Sequence, residues 1–195
     1  MRTAEHVGHP LVRTVGLVVA AVLIVVDQAT KQLALVHLEP GRFVPWLHEA
    51  IGWQLVFNPG GAFGIGAPPW IFLVVTVIVV AVVARSLPRC QTVTSATAYG
   101  LLLAGAIGNV LDRLFRPGGP DAPAFGGGEV VDFVAWGTFP RFNVADSAIT
   151  VGFVLLVLGL LLEERAAMRA QRAAAAADGS DGAEGLAGPD GTGEG

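Results

Sequence analysis

The chain has 195 residues, of which 53% are hydrophobic and only 14% charged, with a formal net charge of −4 and a mean hydropathy of +0.62. A soluble domain carries about 25% charged residues, so this composition excludes an ordinary soluble globule and fits one compact membrane domain. Much of the acid lies after Arg172, no basic patch with interleaved aromatics serves nucleic acid, and the single cysteine, Cys90, excludes an internal disulfide and a cysteine zinc site.

Four apolar runs follow in chain order. The first covers about Val12 to Val36. It begins like a secretory leader, but Asp27 and Lys31 interrupt it, the apolar pattern continues to Val36, and no small-x-small cleavage site follows. It is therefore read as a retained spanning helix. The second run covers Trp70 to Leu87, with Pro69 at a natural helix start. The third covers Val93 to Leu114 and the fourth Val144 to Leu162. Each is near the ~20 residues that cross a ~30 Å hydrocarbon core. The expectation is an all-α membrane protein, with a four-span domain over residues 1–172 and an Ala/Gly/acidic tail over 173–195. That tail has little apolar surface to bury and is expected to be disordered.

Orientation follows the basic residues of the short loops. With the N-terminus inside, Arg2, Arg13, Arg85, Arg89, Arg165, Arg169 and Arg172 face the cytoplasm, against Lys31, Arg42, Arg113, Arg116 and Arg141 outside. The bias predicts cytoplasmic N- and C-termini. Two outer loops result. His37 to Pro68 carries Trp46, Trp53, Phe57 and Phe63, a headgroup-level platform in which Trp53 to Phe57 predicts a short strand. Arg116 to Arg141 carries the Pro/Gly-rich stretch Pro117 to Gly128, expected to be a flexible insertion.

Polar residues interrupt these apolar runs at few places, and a carboxylate in or beside a bilayer is expensive enough to signal function. Asp27 and Lys31 are four apart and share a helix face, so they pair, either as an anchor at the interface or to order neighbouring loops. Asn58-Pro59-Gly60-Gly61-Ala62-Phe63 reads as a turn, or as glycine backbone open to an extended peptide. Asn109 and Asp112 share a face at the end of the third span, where Asp112 and Arg113 are expected either to anchor the helix at the interface or, with Asp112 holding Arg113 and the helix end, to support a site, and where Asn109 is expected to orient a carboxylate. Asn143 and Asp146 open the fourth span, where a helix cap is the simple reading. Asp132, inside the apolar stretch Val130-Val131-Asp132-Phe133, has no such reading. Asp132 and Asp146 are both placed at the outer ends of apolar helices. If they converge, they share a proton and activate a water.

Taken together, Asp27-Gln28-x-x-Lys31, Asn58-x-Gly60-x-Ala62-Phe63, Gly108-Asn109-x-x-Asp112-Arg113, Val131-Asp132-Phe133 and Phe142-Asn143-x-Ala145-Asp146 resemble the motifs of bacterial lipoprotein signal peptidase, or signal peptidase II, in the same order. The resemblance spans about Val12 to Leu162. It implies an aspartic endopeptidase of the cytoplasmic membrane that removes the signal peptide from diacylglyceryl-modified prolipoproteins near the outer face. By the same resemblance, the catalytic pair falls on Asp132 and Asp146. Asn109 and Asn143 stand beside it, Asp112 and Arg113 support the site, and Asn58, Asp27 and Lys31 match further motif positions. The Pro117 to Gly128 insertion and the acidic tail lie outside the family's pattern.

Two like charges close together cannot both ionise readily, so the pair is expected to hold one proton and to need no metal or cofactor. His6, His9, His37 and His48 lie away from the motifs. The expected partners are the prolipoprotein and membrane lipid, acting on a monomer. The competing class is a small transporter or channel subunit with Asp27, Lys31, Asp112 and Arg113 along an ion path. Transporter sites lie near the midplane, whereas these residues gather at one end of the spans.

Overall fold

The computed structural model describes residues 10–47, 49–60, 69–120 and 125–184. Its elements run α1 Pro10–His37, β1 Phe43–Leu47, β2 Ile51–Asn58, α2 Pro69–Ser86, a 3-10 turn Leu87–Arg89, α3 Val93–Phe115, β3 Val130–Trp136 and α4 Val144–Glu184. Among the described residues, four helices are long and apolar enough to cross a membrane: Pro10–His37, Trp70–Arg89, Val93–Phe115 and Val144–Arg172. The chain is a multi-pass membrane protein.

Without water in the hydrocarbon, backbone groups must be paired within the segment, which favours helices even for the Val/Ile-rich α2. That helix is apolar all round, and Val74, Val75, Val77, Ile78 and Val82 are exposed on the isolated chain, as lipid-facing residues are. Hydroxyls inside α1 return to the backbone, Thr14 Oγ1 to Pro10 O at 3.0 Å and Thr30 Oγ1 to Val26 O at 2.8 Å. Thr92 caps α3 by accepting the Ser95 N–H at 3.2 Å. At the other end, Gly128 N–H donates to Arg113 O at 3.0 Å, so the far side of the Pro117 to Gly128 insertion closes on the helix end. Residues 121–124 of that insertion lie outside the described residues.

Small residues let α1 and α3 approach closely. A methyl group at Gly16 would stand 2.7 Å from Ala96 O, and one at Gly100 would meet Gly16 O. Close helix contact of this kind is how spans associate where lipid supplies no hydrophobic drive.

The chain divides into two compact units, Met1–Leu156 and Val157–Gly195. The first holds α1 to α3, the sheet and the opening turns of α4. The second holds the rest of α4, whose Val157, Leu158, Leu160, Leu161 and Leu162 are exposed apolar residues. Of the predicted tail, residues 173–184 continue α4 through an alanine run of high helix propensity, and 185–195 lie outside the described residues.

The three strands form one antiparallel sheet in the order β1-β2-β3. The expected strand from Trp53 to Phe57 lies inside β2, which pairs Val44 with Trp53 on one side and Phe57 with Val131 on the other. Strand β3 corrects one expectation: Asp132 sits on a strand, not at a helix end. Strand alternation sends Val131 and Phe133 into an apolar cluster with Ala34 and Leu55, and turns Asp132 to the opposite face.

Candidate active site

Asp132 is 2% exposed, and its cross-strand partner is Val56. Asn58, two residues along β2 on the same face, is a diagonal neighbour and donates Nδ2 to Asp132 Oδ2 at 3.0 Å. Asn143 donates Nδ2 to the other oxygen, Oδ1, at 2.7 Å.

Asn143 is also the cap of α4. Its Oδ1 accepts the Asp146 N–H at 2.9 Å, and Asp146 Oδ2 accepts the Asn143 N–H at 3.2 Å. This is a reciprocal capping box built from Asn and Asp. The simple reading of these two residues is therefore correct, and it leaves Asp146 Oδ1 for a second contact. Asn109 donates Nδ2 to that oxygen at 2.8 Å, and its own Oδ1 accepts from Asn143 Nδ2 at 3.2 Å. Two asparagine side chains thus bridge the two aspartates.

Burial, and then the neighbouring Asp146 charge, push the Asp132 carboxyl up to about 7. The amide donors of Asn58 and Asn143 and the charge of Lys31 pull the other way without cancelling this. At neutral pH this carboxyl is poised between its two forms.

A second polar layer lies behind the first. Lys31 Nζ, fully buried, meets Asp27 Oδ2 at 2.9 Å, Asp112 Oδ2 at 3.0 Å and Asn109 Oδ1 at 3.0 Å. Asp27 Oδ1 accepts the Ala145 N–H at 2.9 Å, which ties α1 to the start of α4. Gly108 is what allows it: a methyl there would lie 2.6 Å from Asp27 Oδ2.

Asp112 was expected to hold Arg113 and the end of the third span; its carboxylate contacts are at that end of the helix, but with groups other than Arg113. Its carboxylate goes to Lys31, to Arg116 Nε at 2.6 Å, to Gln28 Nε2 at 3.2 Å and to the Val131 N–H at 3.1 Å. Adjacent helical residues point about 100° apart, so neighbours in sequence are poor partners on a helix, whereas Arg116 is one turn away. Arg113 instead lies over the Phe72 ring at 3.9 Å from its centroid and donates Nη1 to Asn109 O at 3.3 Å. Among the described residues, its Nε is the buried side-chain nitrogen or oxygen without a partner.

The sequence-predicted site residues Asp132, Asp146, Asn58, Asn109, Asn143, Asp112, Asp27 and Lys31 thus join through hydrogen bonds and ion pairs, and Arg113 attaches through Asn109 O. Sequence reasoning missed two arginines. Arg116 follows Asp112 by four, a spacing that signals such a pair. Arg141 gave no local signal. It donates Nε to Gln54 Oε1 at 2.7 Å and Nη1 to Phe139 O at 2.8 Å, fastening the β3–α4 connection to β2.

Four spans, a small sheet and two amide-bridged carboxylates, of which Asp132 is buried and Asp146 half-buried, define the class as a polytopic membrane protein. The family model described as Signal peptidase (SPase) II matches residues 19–162, and the chain belongs to that family of peptidases. It is 42% identical over 142 residues to the lipoprotein signal peptidase of Rhodococcus jostii (strain RHA1), covering 72% of this chain and 69% of that protein. With the lipoprotein signal peptidase of Shouchella clausii (strain KSM-K16) it shares 38% identity over 160 residues, covering 78% of this chain and 97% of that protein. A solved bacterial membrane enzyme has a similar fold, with a TM-score of 0.68 and 26% identity over 82% of this chain and 93% of that one.

Proposed function

We propose that the chain removes signal peptides from prolipoproteins by aspartyl chemistry, with Asp132 and Asp146 as the catalytic pair. The observation that carries this reading is the bridged arrangement of the two carboxylates, each held by amide donors from two directions. One proton is shared between them. The ionised partner takes a proton from water as the oxygen attacks the scissile carbonyl, and the protonated partner polarises that carbonyl. Collapse of the tetrahedral intermediate breaks the C–N bond, and the amine leaves with a proton from the pair. The proton is a property of the pair, so neither residue is assigned a fixed role.

The substrate's apolar signal helix lies in the bilayer beside the spans, and its diacylglyceryl chains stay in lipid. Arg113 Nε–H, a buried donor with no partner among the described residues, is suited to a peptide carbonyl and supports a peptide substrate. The site lies at the outer face of the cytoplasmic membrane, both termini are cytoplasmic, and a monomer suffices. Asp27, Lys31, Asp112 and Arg113 hold the site together.

The test is a gel-shift assay with the purified protein in detergent and a purified diacylglyceryl-modified prolipoprotein. Release of the signal peptide, unaffected by EDTA, is the expected result. No cleavage by a folded, monodisperse protein overturns the reading.

A further inference from the structure

The chain contains three asparagines, Asn58, Asn109 and Asn143, and each donates a side-chain N–H to one of the two aspartates. An amide has a donor end and an acceptor end, so what stands against its oxygen decides which end faces the carboxylate. For Asn58 that group is the Gly60 N–H, 3.2 Å from Oδ1. For Asn143 it is the Asp146 N–H, 2.9 Å from Oδ1. Both are backbone donors. For Asn109 it is a charged side chain, the Lys31 ammonium at 3.0 Å.

Lys31 has three N–H groups and three acceptors, Asp27, Asp112 and Asn109. Asp27 already balances its charge, with Asp112 shared between Lys31 and Arg116, so neutrality does not require the third contact. Asn143 Nδ2 also approaches Asn109 Oδ1, at 3.2 Å, but it lies closer to Asp132 Oδ1 and also approaches Val131 O at 3.4 Å. Two hydrogens shared among three acceptors make a weak anchor, and an ammonium makes a strong one.

We propose that Lys31 is a positioning residue of the aspartate pair, acting through the orientation of the Asn109 amide. While Lys31 holds Asn109 Oδ1, only Nδ2 faces Asp146, and Asp146 accepts a hydrogen bond as a carboxylate. Without Lys31 the amide can turn its oxygen to Asp146. Asp146 Oδ1 then bonds Asn109 only by holding the shared proton itself, directed at Asn109 and away from the substrate, while Oδ2 keeps the Asn143 N–H. The kinetic consequence rests on the peptidase reading, and the orientation does not.

The test uses full-length protein in detergent, labelled with 15N-asparagine. Wild type gives three side-chain amide pairs, with that of Asn109 identified by its loss in Asn109→Ala. Lys31→Met alone would strand the Asp27 charge, so it is made with Asp27→Asn, and Asp27→Asn alone is the baseline and identifies the fourth pair. Relative to that baseline, Asp27→Asn/Lys31→Met should move the Asn109 pair and leave the Asn58 pair in place. On the diacylglyceryl-modified precursor, kcat should fall by up to roughly a hundredfold with KM unchanged. In an Asn109→Ala background the same exchange should add little further loss. An unmoved Asn109 pair, or an equal loss in the Asn109→Ala background, overturns the proposal. If wild type cleaves nothing, the peptidase reading falls and the spectra still decide the orientation. If Asp27→Asn folds but neither Lys31→Met nor Lys31→Gln folds beside it, Lys31 is a folding residue and the positioning proposal fails.

Discussion

One proton between two carboxylates sets the behaviour expected at the scale of single residues. Asp132→Asn and Asp146→Asn should each lower turnover by about a hundredfold to ten-thousandfold, while the protein still inserts and purifies. Because the pair acts as a unit, the double substitution should be little worse than either single one. Substantial turnover by either single variant removes that residue from the mechanism. The raised Asp132 carboxyl gives a second expectation. The folded chain holds a proton that an unfolded aspartate, with an ordinary value of 3.8, releases. This group's contribution to stability is therefore present at low pH and is lost as pH rises from about 4 through about 7. Activity follows the same proton, so kcat/KM should fall along an alkaline limb near pH 7. A kcat/KM that stays flat through that range contradicts the assignment.

Among the elements, the helices were legible and two of the strands were not. Long apolar runs, with Pro69 marking the start of the second, located α1, α2 and α3 to within about two residues. Strand β3 is buried along most of its length, at Val130, Val131, Asp132, Phe133 and Ala135. A strand buried on both faces shows no polar alternation and reads as a short apolar run. Strand β1 carries Pro45, which argues against a strand unless it lies at a sheet edge, where β1 does lie. Contact between elements gives the next prediction. Gly108→Ala would drive a methyl against Asp27 Oδ2 where α3 meets α1, and should destabilise by about 1–3 kcal/mol. Gly159→Ala, with nothing among the described residues within 4 Å of the added methyl, should be neutral or stabilising by up to about 1 kcal/mol. Thermal unfolding in detergent compares them, and equal effects would show that the close approach at Gly108 is not the constraint.

For the molecule as a whole, the bilayer is part of the proposed chemistry. The two acyl chains of a diacylglyceryl cysteine gain about 0.8 kcal/mol for each CH2 held in lipid. That energy can fix the depth of the modified cysteine, and so align the scissile bond with Asp132 and Asp146. The exposed Trp46, Trp136 and Phe139 around the sheet suit contact with the headgroup region. An unmodified precursor should therefore be cut far more slowly than the modified one in matched detergent. Equal rates would sink the dependence on the lipid and leave the aspartyl chemistry standing.

The sequence by itself determined the four spans and the residues of the polar cluster. Hydropathy acts over a window of neighbours, and an ionisable group inside such a window is conspicuous because it is costly there. Its five short motifs in order also pointed to the family that the comparisons establish. Partners were another matter. Asp112 and Arg113 are adjacent in sequence yet turn to different groups, while Lys31 and Asn109 lie 78 positions apart and share a hydrogen bond. Only the packing of α1, α3, β3 and α4 decides such pairs, because a side chain's direction depends on its element's rotation about its own axis. The same rotation brings all three asparagines onto the two aspartates, a convergence that no local spacing encodes.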